Sequence, residues 1–538
     1  FDAFGATSVY SGRSYFLLYW VAISMSKTII IIGAGLAGLS AALQAAENGC
    51  NVKLVSFLPS ERAQSVMAEG GINAALNTKD ENDSPEEHFT DTIKAACGLA
   101  DPNAVWGMTQ AAPELVHWLL KLGVKFNMSG YDDVDLRNFG GQKKKRTAFA
   151  QSDTGKQIMT AMIDAVRRKE ASGMVERFSH HSFLTLRLCG NICCGCVIRD
   201  EYSQETVELP GDAVIVATGG MHGLFGNTTG SLSNTGEVTA ELFRLGVPLA
   251  NGEMIQYHPT TVKCGGKRML ISEAARGEGG RLFAMKDGKQ WYFMEEKYPE
   301  LGNLMPRDIT AREIWKVSHE SEVFLDMTEI SEEIISNKLS GLADDCMTYL
   351  HKDIRKEPVS VLPGIHYFMG GILVDEQHRT PIQNLCAAGE CCAQYHGANR
   401  LGGNSLLGAL YGGRVAAKSA CEQADVVDLS CATQIDFPPA SQISEIKQLN
   451  KVMQETMGVV RNENTLLNGI QTVQALTGNL PLLGMAVLKS ALARKESRGA
   501  HWREDYPKSN DDDYLKTTVA RFDGKQIQIS FVPVPERR

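Results

Sequence analysis

The run Ile29-Ile30-Ile31-Ile32-Gly33-Ala34-Gly35-Leu36-Ala37-Gly38 decides the fold of this chain. Four consecutive β-branched residues predict a short strand buried on both faces. The glycines that follow have GxGxxG spacing and open a helical stretch ending near Asn48-Gly49, after which Val52–Val55 predicts a second strand. Strand, glycine turn, helix and strand make a βαβ unit. Glycines there let the backbone approach a pyrophosphate, whose charge is favoured at the helix N-terminus. The motif alone is a weak signal, and its strand–helix–strand setting makes it a strong one. Gly33, Ala34, Gly35, Leu36, Ala37 and Gly38 are therefore read as dinucleotide-binding.

Two distant segments extend this reading. Ala213–Val216 runs into Ala217-Thr218-Gly219-Gly220, and Leu385–Ala388 runs into Gly389-Glu390. Both predict buried strands that return to the first sheet. The second strand ends at Ser56, where a nicotinamide dinucleotide would want Asp or Glu for its ribose. The three segments in this order favour FAD. Between about 252 and 364 the pattern gives way to polar helical stretches, which predicts an inserted domain. Gln442–Glu455 and Thr465–Leu492 show helical periodicity, and a polar tail is expected after about 508.

The fold class that follows is α/β: a Rossmann-like FAD-binding domain with an inserted α+β capping domain and a C-terminal helical domain. Residues 25–251 and 365–428 would form the FAD-binding domain, 252–364 the capping domain, and 429–538 the helical domain with its tail. Residues 1–24 read as a leader or extension. Their apolar run Tyr15–Ile23 is far short of the ~20 residues that span a bilayer.

The bulk composition is ordinary for 538 residues, a length that calls for several domains. A net charge of -9 argues against a nucleic-acid surface. The run Lys143-Lys144-Lys145-Arg146 reads as a solvated loop. Of the 13 cysteines, Cys193 and Cys196 are formally a CxxC, on a hairpin that turns at Gly190-Asn191. Residues three apart on a strand face opposite ways, so no metal site is expected there. The cysteines read as reduced and structural, in the cytoplasm.

A set of charged and polar residues spans about 150 positions: His258, Ser272, Glu273, Arg276, Arg307, His366 and Arg400. Three arginines and two histidines, each beside glycine or proline, suit a grip on a small dianion. A guanidinium can hold a carboxylate by two parallel hydrogen bonds.

These residues fall in longer motifs: Ala68-Glu69-Gly70-Gly71-Ile72-Asn73-Ala74-Ala75, Arg137-Asn138-Phe139-Gly140-Gly141, Tyr257-His258-Pro259-Thr260, Ala275-Arg276-Gly277-Glu278-Gly279-Gly280, Pro306-Arg307-Asp308, His366-Tyr367, His396 through Leu406, and Glu496 through His501. On these motifs the chain resembles the flavoprotein subunit of succinate dehydrogenase and fumarate reductase, over roughly residues 25–508. The resemblance implies that His258, Ser272, His366 and Arg400 hold the two carboxylates of succinate or fumarate, with Phe139 against the substrate. It assigns hydride transfer to the flavin N5 and protonation to Arg307. Arginine is a poor acid, so a relay is needed, and Glu273 and Arg276, three apart on one helical face, would resupply the proton. It further implies FAD contacts from Ser56, Gln64, Ser65, Ala68, Gly70, Gly71, Ala217, Thr218, Gly219, Glu237, Glu390, Ser405 and Leu406. An iron–sulfur subunit, a membrane anchor subunit and a quinone pool come with it, and place the chain peripherally on the inner face of the cell membrane.

One departure stands out. Where the membrane-bound enzymes carry a histidine bonded to the flavin 8α position, this chain has Gln64. An amide is not nucleophilic enough for that bond, so non-covalent FAD is expected. Gln64 is also compatible with L-aspartate oxidase, the alternative enzyme reading. A subunit that only passes electrons is a third reading, which the intact Arg307, His258, His366 and Arg400 oppose.

Overall fold

The computed structural model describes residues 26–131, 133–423, 437 and 442–538. The expectation of a leader over 1–24 lies outside the described residues. At the centre is a parallel sheet of β1 (Thr28–Ile32), β2 (Asn51–Ser56), β3 (Val175–Ser179), β4 (Ala213–Val216) and β5 (Leu385–Ala387), in the order β5-β4-β1-β2-β3. Helices α1 (Leu36–Glu47), α2 (Thr154–Ala171) and α3 (Asn404–Gln423) cover one face, packing on Ile29 and Ile31. The antiparallel strands His181–Cys189, Ile192–Asp200 and Thr206–Pro210 cover the other, on Ile30 and Ile32. Both faces of β1 are thus dry, which is why its sequence does not alternate.

Gly38 serves the packing of this unit. A Cβ built there would lie 1.8 Å from the Gly33 carbonyl oxygen, so Gly38→Ala must push the helix off the strand. Overpacking of this kind costs roughly 1–3 kcal/mol or more. The expected result is a lowered Tm with loss of bound flavin, read by thermal unfolding and flavin fluorescence.

The hairpin of residues 181–200 corrects the opposite-face expectation for its cysteines. The pairing shifts between Arg187↔Gly195 and Leu188↔Cys193, a bulge made possible by Gly195 at φ 143°. The extra residue brings Cys193 and Cys196 into the same apolar cluster. Burial pushes the Cys193 thiol up to about 12, which favours the neutral thiol over a thiolate ligand. Among the described residues eleven cysteines carry free thiols, but Cys189 is disulfide-bonded, unlike the reduced state expected for all.

The basic run is also not wholly solvated. Arg146 is fully buried, 2.9 Å from Asp83 and 3.0 Å from Asp91. It precedes the short buried strand Thr147–Ala148, so the chain carries its side chain inward.

The insert combines helices, among them Arg307–Val317 and Glu332–Lys338, with antiparallel strands. Ile255–Cys264 pairs with Lys267–Leu270 and with Leu362–Phe368, and a second sheet is ordered Lys289–Trp291, Arg281–Lys286, Val323–Asp326, Val359–Ser360. Toward the C-terminus stand helices Ile443–Thr456, Glu463–Val473 and Asn479–Ala493. The stretch read as helical over 465–492 is two helices, because Gly478 takes φ 105° between them. Nor is the region past 508 a plain polar tail. Lys516–Phe522 and Ile527–Pro533 form a hairpin whose first strand pairs with Leu249–Ala250, itself paired with Gly371–Leu373. Thr518, Val519 and Ala520 are buried there. No helix among the described residues is long and apolar enough to cross a membrane.

Candidate active site

The N-termini of α1 and α3 open onto one cavity of about 540 Å³. Gly33, at φ 111°, forms its floor, and a side chain there would lie 2.3 Å from the Ala217 carbonyl oxygen. Ala34, Gly35, Leu36 and Ala37 continue the turn along the cavity, while Gly38 does not reach it. Gly38 packs behind the turn, against the Gly33 carbonyl. Ser56 at the end of β2, the Gln64, Ser65 and Ala68 segment, and Gly70 and Gly71 form one wall. Ala217, Thr218, Gly219, Glu237, Glu390, Ser405 and Leu406 form others.

These residues fit FAD. The turn presents backbone close to the void, two helix N-termini favour a pyrophosphate, and Ser56 has a buried hydroxyl with no partner. Glu237 and Glu390 stand ready for hydroxyl groups, with the Glu390 carboxylate already accepting from the Phe368 N–H at 3.1 Å.

The far end of the cavity brings the dianion residues together. Pro306 precedes helix Arg307–Val317 and sets Arg307 at its first position. The Arg307 Nε and Nη2 donate to Glu273 Oε2 at 2.8 and 2.6 Å. Arg276 Nη2 lies 3.3 Å from the other oxygen of Glu273. Arg276 itself stands behind Glu273 and does not line the cavity. Ser272 caps the short helix Glu273–Gly277, its hydroxyl accepting from the Ala274 N–H at 3.4 Å. His258 and His366 meet edge to face, ring centroids 5.2 Å apart. Phe139 closes the space beside Gly70 and Gly402. Arg400 lies over the Tyr367 ring at 4.3 Å.

The electrostatics are lopsided. Burial, then Arg307, push His258 well below the usual imidazole range, and the same two causes act on His366. Both rings are therefore neutral, and His258 Nε2 has no partner. Burial would raise Glu273, but Arg307 and Arg276 overcome it and hold the carboxyl below its ordinary value. Arg400 is brought down to about 9 by burial and by Arg307. It is 3% exposed, and among the described residues no carboxylate lies within ion-pair reach of it. A buried guanidinium without a counter-ion is costly.

Four residues that shape this end escaped the reading of the sequence as functional. Gln256 accepts from Arg307 Nη1 at 3.1 Å and donates to the Arg400 main-chain carbonyl at 2.8 Å, tying the Arg307 guanidinium to the backbone at Arg400. It lies two places before His258, just ahead of the Tyr257–Thr260 motif. Thr229 bonds His366 Nδ1 at 2.8 Å, and nothing in its sequence setting signals this. Arg137 donates to the carbonyls of Glu69 and Gly70, holding that wall. Glu69 lines the cavity near Ser272, its carboxyl lifted by burial and Asp345 to about 8.

A parallel sheet with a glycine cradle, opening onto a buried arginine–histidine pocket, defines a flavoprotein fold with an attached anion site. The FAD binding domain family matches residues 28–406, and the Fumarate reductase flavoprotein C-term family matches 476–537. The succinate dehydrogenase flavoprotein subunit of Bacillus subtilis is 38% identical, over 95% of this chain and 98% of its own length. The 8-methylmenaquinol:fumarate reductase flavoprotein subunit of Wolinella succinogenes is 32% identical, over 95% and 92%. A solved E. coli quinol fumarate reductase superposes with a TM-score of 0.86 at 27% identity, covering 95% of this chain and 97% of that one. The chain belongs to the family of succinate dehydrogenase and fumarate reductase flavoprotein subunits, and is an FAD-dependent oxidoreductase.

Proposed function

We propose that this chain interconverts succinate and fumarate, passing electrons between the dicarboxylate and a quinone pool through an iron–sulfur partner. The observation that carries the reading is Arg400, a buried cation with no carboxylate partner among the described residues, set with Arg307 and two neutral imidazoles at the end of the FAD cradle. A dicarboxylate supplies the missing negative charge. FAD, when bound in the cradle, supplies the two-electron hydride donor or acceptor. His258, Ser272, His366 and Arg400 bind the carboxylates, and Phe139 excludes water from one side. Arg307 holds a proton toward the second carbon, and Glu273, with Arg276 behind it, returns the proton lost there. Glu273 and Gln256 fix the guanidinium from two directions, so its orientation is set before substrate arrives.

Membrane attachment through partner subunits fits the absence of a spanning helix among the described residues and relatives that are named as subunits. The relatives do not favour the aspartate oxidase reading. The test is direct: the flavin-loaded chain with an artificial electron donor should reduce fumarate, and aspartate with oxygen should yield no peroxide. Fumarate turnover absent beside aspartate-dependent peroxide would overturn the assignment. Gln64 sits on the cavity wall, and its amide cannot form the 8α bond. Trichloroacetic acid should accordingly leave the yellow flavin in the supernatant, and a yellow pellet would refute this.

The neutral histidines also predict proton uptake. A bound dianion raises the His258 and His366 affinities for protons above their depressed free values, so the complex holds more protons than the free site. Affinity must then strengthen as pH falls toward the free-site values. Calorimetry with malonate near pH 7 should show a binding heat that depends on buffer ionisation enthalpy, with up to about one proton taken up. A buffer-independent heat would show that the rings stay neutral in the complex.

A further inference from the structure

Far from the cavity, the distal ends of two cofactor-facing helices carry a thiol pair. Cys50 follows α1 at the entry to β2, Cys421 lies in the last turn of α3, and their sulfurs are 3.0 Å apart across a separation of 371 residues. The pair has a polar flank: Lys27 Nζ donates to the Cys421 carbonyl at 2.7 Å. Cys50 is 5% exposed, while Cys421 is partly open to solvent. The hydrogen bond from Cys421, and then Lys27, bring Cys50 down to about 7 against burial and Asp212, while Cys421 is pushed up. One sulfur is thus prepared as a thiolate and its neighbour as the thiol beside it. The adjacent Cys391 and Cys392 differ, because both are buried and engage main-chain carbonyls.

We propose that Cys50 and Cys421 are a peroxide-oxidisable dithiol whose disulfide staples the first βαβ unit to the end of α3. The Cys50 thiolate attacks one oxygen of hydrogen peroxide, forming a sulfenic acid as the O–O bond breaks and hydroxide leaves, to be protonated to water. The Cys421 sulfur then attacks the Cys50 sulfur, the S–S bond forms, and the sulfenic oxygen departs as a second water. Two thiols lose two electrons and two protons, and peroxide is reduced to two waters.

The position gives the bond a consequence. α1 and α3 lie side by side, with the Ser40 hydroxyl donating to the Leu410 carbonyl at 2.6 Å. At Gly413 an added Cβ would meet the Ala37 carbonyl oxygen at 2.3 Å. Both helices begin at the cavity, which Leu36 and Ser405 line. A staple at their far ends fixes their spacing, so oxidised protein should release FAD at higher urea than reduced protein.

The experiment uses the full, flavin-loaded chain. Dilute peroxide followed by alkylation and peptide mapping should show a Cys50–Cys421 cross-linked peptide, a loss of two titratable thiols, and full reversal by dithiothreitol. In Cys421→Ser, a variant at a partly exposed site, the cross-link should vanish and a dimedone adduct should appear on Cys50. Quantitative alkylation of both cysteines after peroxide, with thiols elsewhere consumed, would overturn the proposal. So would a Cys421→Ser protein whose Cys50 takes no dimedone.

Discussion

Arg307→Ala is expected to lower fumarate turnover by at least ~10³-fold while moving malonate affinity far less. A positioned proton donor contributes about 10²–10⁴-fold, and Arg307 is also what holds Glu273 in place through paired contacts at 2.8 and 2.6 Å. Loss of the guanidinium removes the donor and leaves the relay carboxylate pointed at a void. Arg307→Lys keeps the charge, but its ammonium cannot reproduce the fork that spans Glu273 and Gln256. Its turnover should therefore fall nearly as far. The measurement is kcat for fumarate reduction set beside the malonate Kd from flavin difference spectra. A lysine variant within tenfold of wild type would remove Arg307 from the proton-donating role.

Arg400→Met should act in two opposite directions. Its guanidinium stands buried beside Tyr367 with no carboxylate in ion-pair reach among the described residues, and in the proposed reaction the ligand is its counter-ion. Removing one partner of a buried charge pair costs roughly 2–5 kcal/mol, which is about 30-fold to several thousand-fold in affinity. Without ligand the same substitution removes an uncompensated buried charge, and the free protein should gain stability. Paired measurements of malonate Kd and ligand-free Tm decide this. A variant that loses affinity and also melts earlier would show that Arg400 supports the fold through packing alone.

How far the sequence spoke depended on how each contact is made. β1 was legible because a strand buried on both faces must be apolar throughout, and Ile29–Ile32 is. β3, Val-Glu-Arg-Phe-Ser, was not, because it lies at the sheet edge with Glu176 exposed. The bulge at Gly195 is one glycine among 51 and reverses the facing of two cysteines. Arg146 looked solvated because its partners, Asp83 and Asp91, lie over fifty positions away. In the site, the charged residues sit in glycine and proline contexts that can be read directly. Thr229 acts through a single hydroxyl brought to His366 by the fold, and such a contact has no local signature.

The hairpin over 516–533 also sets the order in which the molecule can be finished during synthesis. Leu249 and Ala250 are made long before the strand Lys516–Phe522 that covers them. The chain leaves for the insert just after Ala250 and has returned by Gly371, and both points belong to the sheet which that late strand completes. As the ribosome extends the chain, the dinucleotide unit can collapse early around β1 and β2, whose pairing is local. The seam between core and insert stays open until some 140 further residues beyond the return strand have emerged. Such a chain carries that seam unsealed for most of its synthesis and closes it last.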